Sequence, residues 1–142
     1  MVRRMFYSQT IRLKTKGEND YIDITEEVKR VVAKSGIRNG LVNVFIPGST
    51  GAITTMEYEP GLKRDLAEAL IRIAPTDIYY YHHERWGDDN GRSHVKASII
   101  GPSLTVPVID GKLILGTWQQ IVFLELDTRA RDRRIIITVV GE

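Results

Sequence analysis

Residues 104–115, LTVPVIDGKLIL, carry the strongest local fold signal in the sequence. Two runs of mostly apolar, often β-branched residues, Leu104–Ile109 and Lys112–Leu115, are separated by only Asp110 and Gly111. An Asp-Gly pair between such runs is typical of a two-residue turn whose backbone twist matches that of the flanking strands. The stretch therefore predicts a β-hairpin.

Further strand patterns lie on both sides of this hairpin. Short runs of apolar, β-branched and aromatic residues favour strands at Phe6–Leu13, Tyr21–Ile24, Leu41–Ile46, Ile53–Tyr58, Val95–Ile100, Ile121–Leu126 and Ile135–Val140. The last two runs are so apolar that we expect a second copy of the chain to be needed to cover their edges and faces.

Two segments favour helices. Thr25 is a candidate cap for the first helix, whose valine stripe ends at Gly36. The second helix is predicted over Gly61–Ala74, where apolar residues recur at helical spacing before a proline. Many strands with two main helices predict an α+β fold with a mixed, largely antiparallel, barrel-like sheet. We expect one domain over residues 1–142.

Composition excludes several classes of protein. Hydrophobic residues at 42% and charged residues at 27% are typical of a soluble globular protein, and no run is long enough to span a membrane. The absence of cysteine excludes disulfides and a cysteine nucleophile. A net charge of +2 is too small to indicate nucleic-acid binding, so the arginine cluster at Arg129–Arg134 favours a solvated turn. The first residues lack the apolar segment of a secretory signal, and we expect a cytoplasmic protein.

All three histidines lie within residues 82–94, on either side of a glycine-containing loop. Neutral imidazole is a common metal ligand, and the carboxylates nearby could complete the coordination. In an extended segment His82 and His83 point to opposite faces, so we expect His83 to meet His94 across the loop. The alternative is that the histidines only form hydrogen bonds within the loop.

Other polar residues allow two interpretations each. Asp65 lies among the apolar positions of the second helix, so it either pairs with an arginine or acts as a general base or a histidine-orienting acceptor. Ser49 and Thr50, between two glycines, either cradle an anion or belong to a tight connection between strands. Trp118, beside Gln119, either packs into the core or presents its ring to a ligand.

Seven stretches carry a resemblance to a known family. In order, they are Gly48–Thr54, Glu57, Arg64–Leu66, Ser93–Ser98, Gly101–Leu104, Gly116–Gln120 and Gly141–Glu142. Together they resemble the YjbQ-like family, described as secondary thiamine-phosphate synthases, over nearly the whole chain. The resemblance implies an α+β subunit, a homotrimer, and pockets at or near the subunit interfaces. It also implies a weak ability to join a pyrimidine diphosphate to a thiazole phosphate.

The resemblance further implies roles for individual residues. The expected cofactor is a divalent metal ion, with zinc favoured, and its ligands would be His83 and His94. Gly48 stands where many members carry a histidine, so the third ligand would be His82, with Glu84 or water as the alternatives. The expected catalytic residues are Asp65, Glu57 and Lys96. The residues expected to bind the phosphorylated ligand are Ser49, Thr50, Arg92, Trp118 and Gln119.

Formation of thiamine phosphate sets clear chemical demands. A pyrimidine carbon loses diphosphate while the thiazole nitrogen attacks, so the site needs cations for the diphosphate and an aromatic wall for the heterocycle. The positive charge would come from Arg92, Lys96 and a metal at the histidines. The aromatic wall would be the ring of Trp118. The alternative is a non-catalytic trimer that binds a small phosphorylated molecule or a metal without turnover.

Overall fold

The computed structural model describes residues 5–142 and contains eight strands and four helices within that range. The strands are β1 (Phe6–Lys14), β2 (Tyr21–Asp23), β3 (Gly40–Phe45), β4 (Gly51–Met56), β5 (Ser103–Ile109), β6 (Lys112–Leu113), β7 (Gln120–Glu125) and β8 (Asp132–Gly141). The helices are α1 (Thr25–Ser35), α2 (Pro60–Ile73), α3 (Tyr81–Trp86) and α4 (Gly91–Ile100).

The strands form two antiparallel sheets, β1-β8-β3-β5-β6 and β2-β7-β4, which curl into a half-barrel. The predicted hairpin is confirmed, because Ile109 pairs with Lys112 and the turn residues Asp110 and Gly111 have positive φ angles of 52° and 77°. Positive φ at both turn positions is what a type I′ turn requires, and Asp and Gly tolerate it. The predicted α+β class with a largely antiparallel sheet is confirmed.

Strand β7 is the centre of the core because both of its faces are buried. Ile121 and Phe123 pack into the cluster between the two sheets, together with the valines of α1. Val122 and Leu124 face the other way, against side chains of α2 and α4. Burying one side chain of this size stabilises the fold by roughly 1.5–3 kcal/mol. The expectation that this strand needs a second copy to cover it is wrong, because elements of the same chain cover it.

The outer face of the larger sheet, by contrast, carries exposed apolar side chains. Leu41 pairs with Val140 on one side and with Pro107 on the other, so these three residues form a row across three strands. Phe45 and Ile136 form a second row on the same face. Leu41, Val140 and Phe45 are 47%, 42% and 40% exposed. This outer apolar face is a surface that a second copy of the chain could cover.

Helix α1 begins with a different cap from the one predicted. The carboxylate of Asp23 accepts hydrogen bonds from the backbone N–H (2.9 Å) and the hydroxyl (2.6 Å) of Thr25. Asp23, rather than Thr25, therefore satisfies the helix start. The Thr25 hydroxyl oxygen accepts a hydrogen bond from the backbone N–H of Ile121 (2.9 Å), which joins α1 to β7. Gly36 ends the helix at a φ of 70°, as predicted.

Helix α2 is the longest of the four described helices. Pro60 occupies its first turn, and the carboxylate of Glu59 accepts hydrogen bonds from the backbone N–H groups of Gly61 (2.9 Å) and Leu62 (2.6 Å). The predicted helix Gly61–Ala74 is confirmed, with each boundary one residue earlier in the structure. None of the helices within residues 5–142 combines the length and the apolar character that crossing a bilayer requires.

Two short helices, α3 and α4, carry the histidines and were not predicted. The predicted strand Val95–Ile100 is wrong, because these residues form the second half of α4. Val95 and Ile99 suggested a buried strand, but both side chains are exposed. The buried side of α4 includes the polar residues Ser93 and Lys96, which hide its helical period from a pattern of apolar residues. Within the described residues there are thus four helices, not two.

Candidate functional site

The histidines come together in a different pairing from the one predicted. His82 on α3 packs against His94 on α4 with their ring centroids 4.3 Å apart and their planes tilted by 37°. His83 lies on the outside, where its Nδ1 donates a short hydrogen bond to the backbone carbonyl of Asp88. The expectation that His83 meets His94 assumed an extended segment. Because the segment is helical, His82 is the residue that faces α4.

The His82 ring has an unused nitrogen in a buried position. Its Nδ1 is buried without a well-aligned hydrogen bond, although the Oδ1 atom of Asp88 lies only 3.1 Å away. A buried polar atom without a partner calls for an explanation, such as a bound ion or water. His82, His94 and Asp88 offer the nitrogen and oxygen donors that zinc accepts. Within residues 5–142, however, no three His, Asp or Glu side chains are placed to hold one ion, so a single chain does not assemble a complete metal site.

His94 is held in its neutral form. Burial lowers the pKa of His94, and a charge on the adjacent His82 would lower it further, while Asp88 and Asp127 oppose the shift. A neutral imidazole can accept a proton or coordinate a metal through its free nitrogen. The lowered pKa of His94 therefore favours the protonation state that either role requires.

A cleft of about 480 Å³ is lined by His83 and not by His82 or His94. Asp88 connects it to the histidine pair, because this residue lines the cleft and also places its Oδ1 atom 3.1 Å from Nδ1 of His82. The walls of the cleft combine tyrosine rings with acidic and basic side chains, among them Tyr79, Tyr80, His83, Asp88, Asp89 and Arg92. The cleft has the size of a small-molecule pocket. We call this region, the cleft together with His82 and His94, the histidine group.

The two cations expected to bind phosphate are already paired with a carboxylate. Arg92 donates from Nε and Nη2 to the two carboxylate oxygens of Glu18, both at 2.9 Å. The fully buried Lys96 places its Nζ 3.3 Å from the same carboxylate. Burial by itself would raise the pKa of Glu18, but the hydrogen bonds and charges of Arg92 and Lys96 hold this pKa below its usual value. Sequence reasoning did not single out Glu18, because its partners lie more than seventy positions away.

Thr50 belongs to a buried hydrogen-bond network and not to an open anion cradle. Its hydroxyl donates to Asp127 (3.1 Å) and accepts from Arg133 (2.8 Å), while the neighbouring Ser49 is exposed. Burial would raise the pKa of Asp127, but hydrogen bonds from Arg131, the Thr128 backbone and Thr50 hold it below its usual value. The tight-connection interpretation of this glycine-flanked segment therefore fits the geometry better than the anion-binding one.

The arginine-rich turn contributes to the same network. Arg133 forms a two-point ion pair with the fully buried carboxylate of Glu125, at 2.8 Å and 2.5 Å. Arg131 instead directs Nε and Nη2 to a single oxygen of Asp127, Oδ2, at 2.8 Å and 2.6 Å. Arg129 and Arg134 are exposed, so only part of the cluster is the solvated turn that the sequence favoured.

Glu57, Trp118 and Gln119 form a second group. The Gln119 side chain donates to the Thr55 hydroxyl (3.1 Å) and accepts from the backbone N–H of Gly116 (3.0 Å), which fixes the loop before β7. A depression of about 400 Å³ lies between this loop and the end of β4. Trp118 is 73% exposed, so its ring faces outward and does not pack into the core. We call this region the tryptophan group.

Asp65 lines neither the cleft of the histidine group nor the depression of the tryptophan group. The structure exposes it on α2, so the expectation that it lies on the apolar face of that helix is wrong. Leu70 provides the buried contact of α2, with Leu66 and Ala67 packed against the same cluster. The exposed carboxylate has no need of a buried partner, and its catalytic role stays a prediction.

The histidine group and the tryptophan group lie at opposite ends of β7. Gln119 immediately precedes this strand, and Asp127, whose charge acts on His94, follows it. The seven residue-to-residue steps from Gln120 to Asp127 span about 23 Å in an extended chain. One small ligand cannot contact both groups within a single chain.

Comparison with known proteins identifies the class to which this architecture belongs. Residues 9–142 match the family described as UPF0047 protein YjbQ-like, and the chain belongs to this family. A UPF0047 protein of Methanothermobacter thermautotrophicus is 45% identical over 136 residues, covering 96% of this chain and 93% of that protein. The UPF0047 protein YugU of Bacillus subtilis is 35% identical over 136 residues, covering 94% of this chain and 98% of YugU.

Solved structures of similar proteins share the fold. A YbjQ-like protein of unknown function from Sulfolobus solfataricus superposes with a TM-score of 0.90 at 35% identity, covering 96% of this chain and 98% of the other. A hypothetical protein from Aeropyrum pernix gives a TM-score of 0.87 at 32% identity, covering 96% and 99%. The resemblance to the YjbQ-like family is therefore confirmed in both sequence and fold.

Proposed function

We propose that the protein is a cytoplasmic, homotrimeric, metal-associated enzyme of the secondary thiamine-phosphate synthase type. Its active site would be composite, with the histidine group from one copy and the tryptophan group from the next. The observation that carries this proposal is the separation of the two groups by about 23 Å along β7 in a single chain. Each group holds part of what the reaction needs, and neither holds all of it.

Exposed aromatic side chains support a contact between the two groups of neighbouring copies. Tyr81 and Trp86, at the ends of α3, are 80% and 66% exposed, and Trp118 is 73% exposed. Large exposed apolar residues beside a polar cleft are typical of an interaction surface. A contact between two different surfaces of identical chains closes into a ring when the rotation between copies is one third of a turn. Such a ring repeats the composite site three times.

The chemistry assigns tasks to residues of both groups. A bond forms between the pyrimidine methylene carbon and the thiazole nitrogen, while the carbon–oxygen bond to diphosphate breaks and its electron pair leaves with the diphosphate. The nitrogen attacks with its lone pair, so this step requires no general base. The exposed indole of Trp118 offers a flat surface for a heterocycle, and Arg92 would exchange Glu18 for the more highly charged diphosphate.

Some of the predicted roles fit this arrangement better than others. Glu57 lies in the tryptophan group, where it can contact a bound heterocycle. Lys96 is fully buried, so a catalytic role would require it to act through Glu18 and Arg92. The resident metal would be held by His82 and His94, with its remaining ligands from Asp88 or a neighbouring copy. When bound, it would offer positive charge to the departing diphosphate.

An activity assay tests the proposal. The purified protein is incubated with the pyrimidine diphosphate and the thiazole phosphate, and thiamine phosphate is measured by chromatography. We expect slow product formation that is lost in His94→Ala and retained in Val95→Ala, a control on the exposed side of the same helix. A correctly folded protein that forms no more product than the protein-free mixture would contradict the proposal.

A non-catalytic trimer that binds a small phosphorylated ligand or a metal is the second candidate. It is favoured by the pairing of both Arg92 and Lys96 with Glu18, which leaves little free positive charge to activate a leaving group. Equilibrium dialysis with thiazole phosphate, combined with the two-substrate activity assay on the same preparation, separates the two functions. Saturable binding without product supports the binding protein, whereas turnover supports the enzyme.

A further inference from the structure

Strands β4 and β5 belong to different sheets, and a groove of about 390 Å³ lies between them. The sheets touch at one end of the groove, where the backbone N–H of Ile53 donates to the carbonyl of Gly101 (3.2 Å). Beyond this contact no strand pairing joins β4 to β5 in the described part of the chain. Thr55 lines the groove on the β4 side, and Ser103 and Thr105 line it on the β5 side.

The backbone of β4 directs hydrogen-bonding groups into this groove, although the Thr55 carbonyl already accepts a long hydrogen bond from the Thr54 hydroxyl (3.5 Å). Thr55 is opposite Ile121 in the register of β4 and β7. The backbone of Ile121 is used on its other side, because its N–H donates to the Thr25 hydroxyl and its carbonyl accepts from Ile24. Thr55 and Ile121 are therefore a non-hydrogen-bonded pair, and the N–H and carbonyl of Thr55 point away from β7.

The backbone of β5, on the opposite wall, also directs N–H and carbonyl groups into the groove. Pro107 has no N–H, lies opposite Leu41 in the register of β3 and β5, and accepts a hydrogen bond from Ile114 (3.0 Å) on the far side. Its backbone thus points away from β3. Because backbone direction alternates along a strand, the N–H and carbonyl groups of Thr105 and Ser103 also point away from β3, into the groove.

The lining of the groove is uncharged. Apolar side chains such as Ile53, Leu104, Val106 and Leu115 form its floor, and the described residues that line it include no Asp, Glu, Lys, Arg or His. A charged side chain placed on this floor would lose its hydration without gaining a partner. The occupant must therefore be uncharged over the length of the groove.

We propose that this groove binds an uncharged, extended peptide segment of about four residues, which adds as a strand to both edges at once. The occupant needs two free edges. The end strands β1 and β2 of this chain each have one edge paired already, so a folded second copy offers only one. A flexible tail or loop of another protein, with β-branched residues facing the floor, has the required chemistry. This proposal does not depend on the proposed enzymatic function.

Amide NMR with a defined peptide tests it. The probe is the blocked peptide acetyl-Val-Thr-Val-Thr-amide, added to the intact protein. We expect saturable shifts and slower hydrogen exchange at the amides of Thr55 and Thr105. Thr105→Pro removes one N–H that faces the groove and leaves the backbone pairing with β3 intact, although it also removes the hydroxyl that accepts a hydrogen bond from Asn43 (3.2 Å). It should weaken binding by about 5-fold, the effect of one net hydrogen bond. Thr10→Pro, on the free edge of β1, is the matched control and should leave binding unchanged.

Four results would overturn the proposal. The first is no binding at millimolar peptide, and the second is binding that leaves the amides of Thr55 and Thr105 unaffected. Protection of these amides that grows with protein concentration, without peptide, would assign the groove to a second copy instead. If Thr105→Pro does not fold, a peptide methylated on alternate amide nitrogens replaces this variant as the test. The methylated peptide can form hydrogen bonds with only one of the two strand edges. Equal affinity for the methylated and unmethylated peptides would also overturn the proposal.

Discussion

His82 and His94 face each other across two helices, with their ring centroids 4.3 Å apart. This contact joins α3 to α4 and puts the buried Nδ1 of His82 beside the carboxylate of Asp88. His83, the neighbour of His82 in the sequence, is bonded instead to the loop backbone. The histidine that joins His94 in binding a metal should therefore be His82, whereas His83 lines the cleft.

Zinc binding distinguishes these two histidines. We expect His82→Ala and His94→Ala each to lower zinc affinity by at least about 10-fold, because loss of a ligand costs no less than loss of a residue that orients one. His83→Ala should change the affinity far less, since its ring nitrogen is committed to a backbone carbonyl. Competition with a chromophoric chelator measures all three. Full zinc affinity in His82→Ala, together with loss in His83→Ala, would show that the stacked pair is not the metal site.

The ion pair between Arg133 and Glu125 should be essential for stability. Arg133→Met leaves the fully buried carboxylate of Glu125 without its cation. Breaking a buried pair in this way costs about 3–5 kcal/mol. Arg134→Met, one position along and exposed, is the control and should change the free energy of unfolding by less than about 0.5 kcal/mol. Urea denaturation measures both, and equal stability of the two variants would refute the role of the pair.

Acid should destabilise the protein through Glu18 and Asp127. Both carboxyls have pKa values in the folded state below their ordinary values of 4.5 and 3.8. Their stabilisation is therefore fully present above those values and is lost as the pH falls through the lower folded-state pKa. Asp127→Asn should flatten this part of the pH dependence of the melting temperature, while the exposed Glu26→Gln should not. Identical acid profiles for Asp127→Asn and the parent protein would be incompatible with this assignment.

Gly91 should be required for the packing of α4 beside the cleft. A Cβ atom at this position would lie 2.6 Å from the Cβ of Tyr80. Tyr80 cannot easily move away, because its hydroxyl donates to the Pro75 carbonyl (2.6 Å). We expect Gly91→Ala to lower the free energy of unfolding by about 1–3 kcal/mol. Thermal denaturation beside Val95→Ala checks this, and an unchanged melting temperature would show that the segment adapts.

Local patterns in the sequence were sufficient for much of the fold. The Asp110-Gly111 turn, the strands around it and α2 all follow from residues that are neighbours in the chain. Helix α4 does not follow from its local sequence, because its buried side includes the polar residues Ser93 and Lys96. Lys96 is buried beside the distant carboxylate of Glu18, and the buried Ser93 hydroxyl has no hydrogen-bond partner among the described residues, so no local pattern reveals either position as buried.

The candidate site was predictable in composition but not in pairing. The histidine-rich segment was recognisable from its residue types, yet the partner of His94 depended on whether that segment is a strand or a helix. The pairing of Glu18 with Arg92 and Lys96 joins residues far apart in the sequence. The separation of Trp118 from the histidines follows from the length of β7, and only the assembled fold shows it.

Complementation between two inactive variants tests the composite site most directly. His94→Ala and Trp118→Ala are coexpressed with different tags, and mixed assemblies are purified by both tags and assayed for thiamine-phosphate formation. Each variant alone should be inactive, because each of its sites lacks one half. In every mixed trimer, one of the three composite sites combines an intact histidine group with an intact tryptophan group, so the doubly purified assemblies should regain about a third of the parent activity. Mixed assemblies as inactive as the two single variants would contradict a site shared between copies.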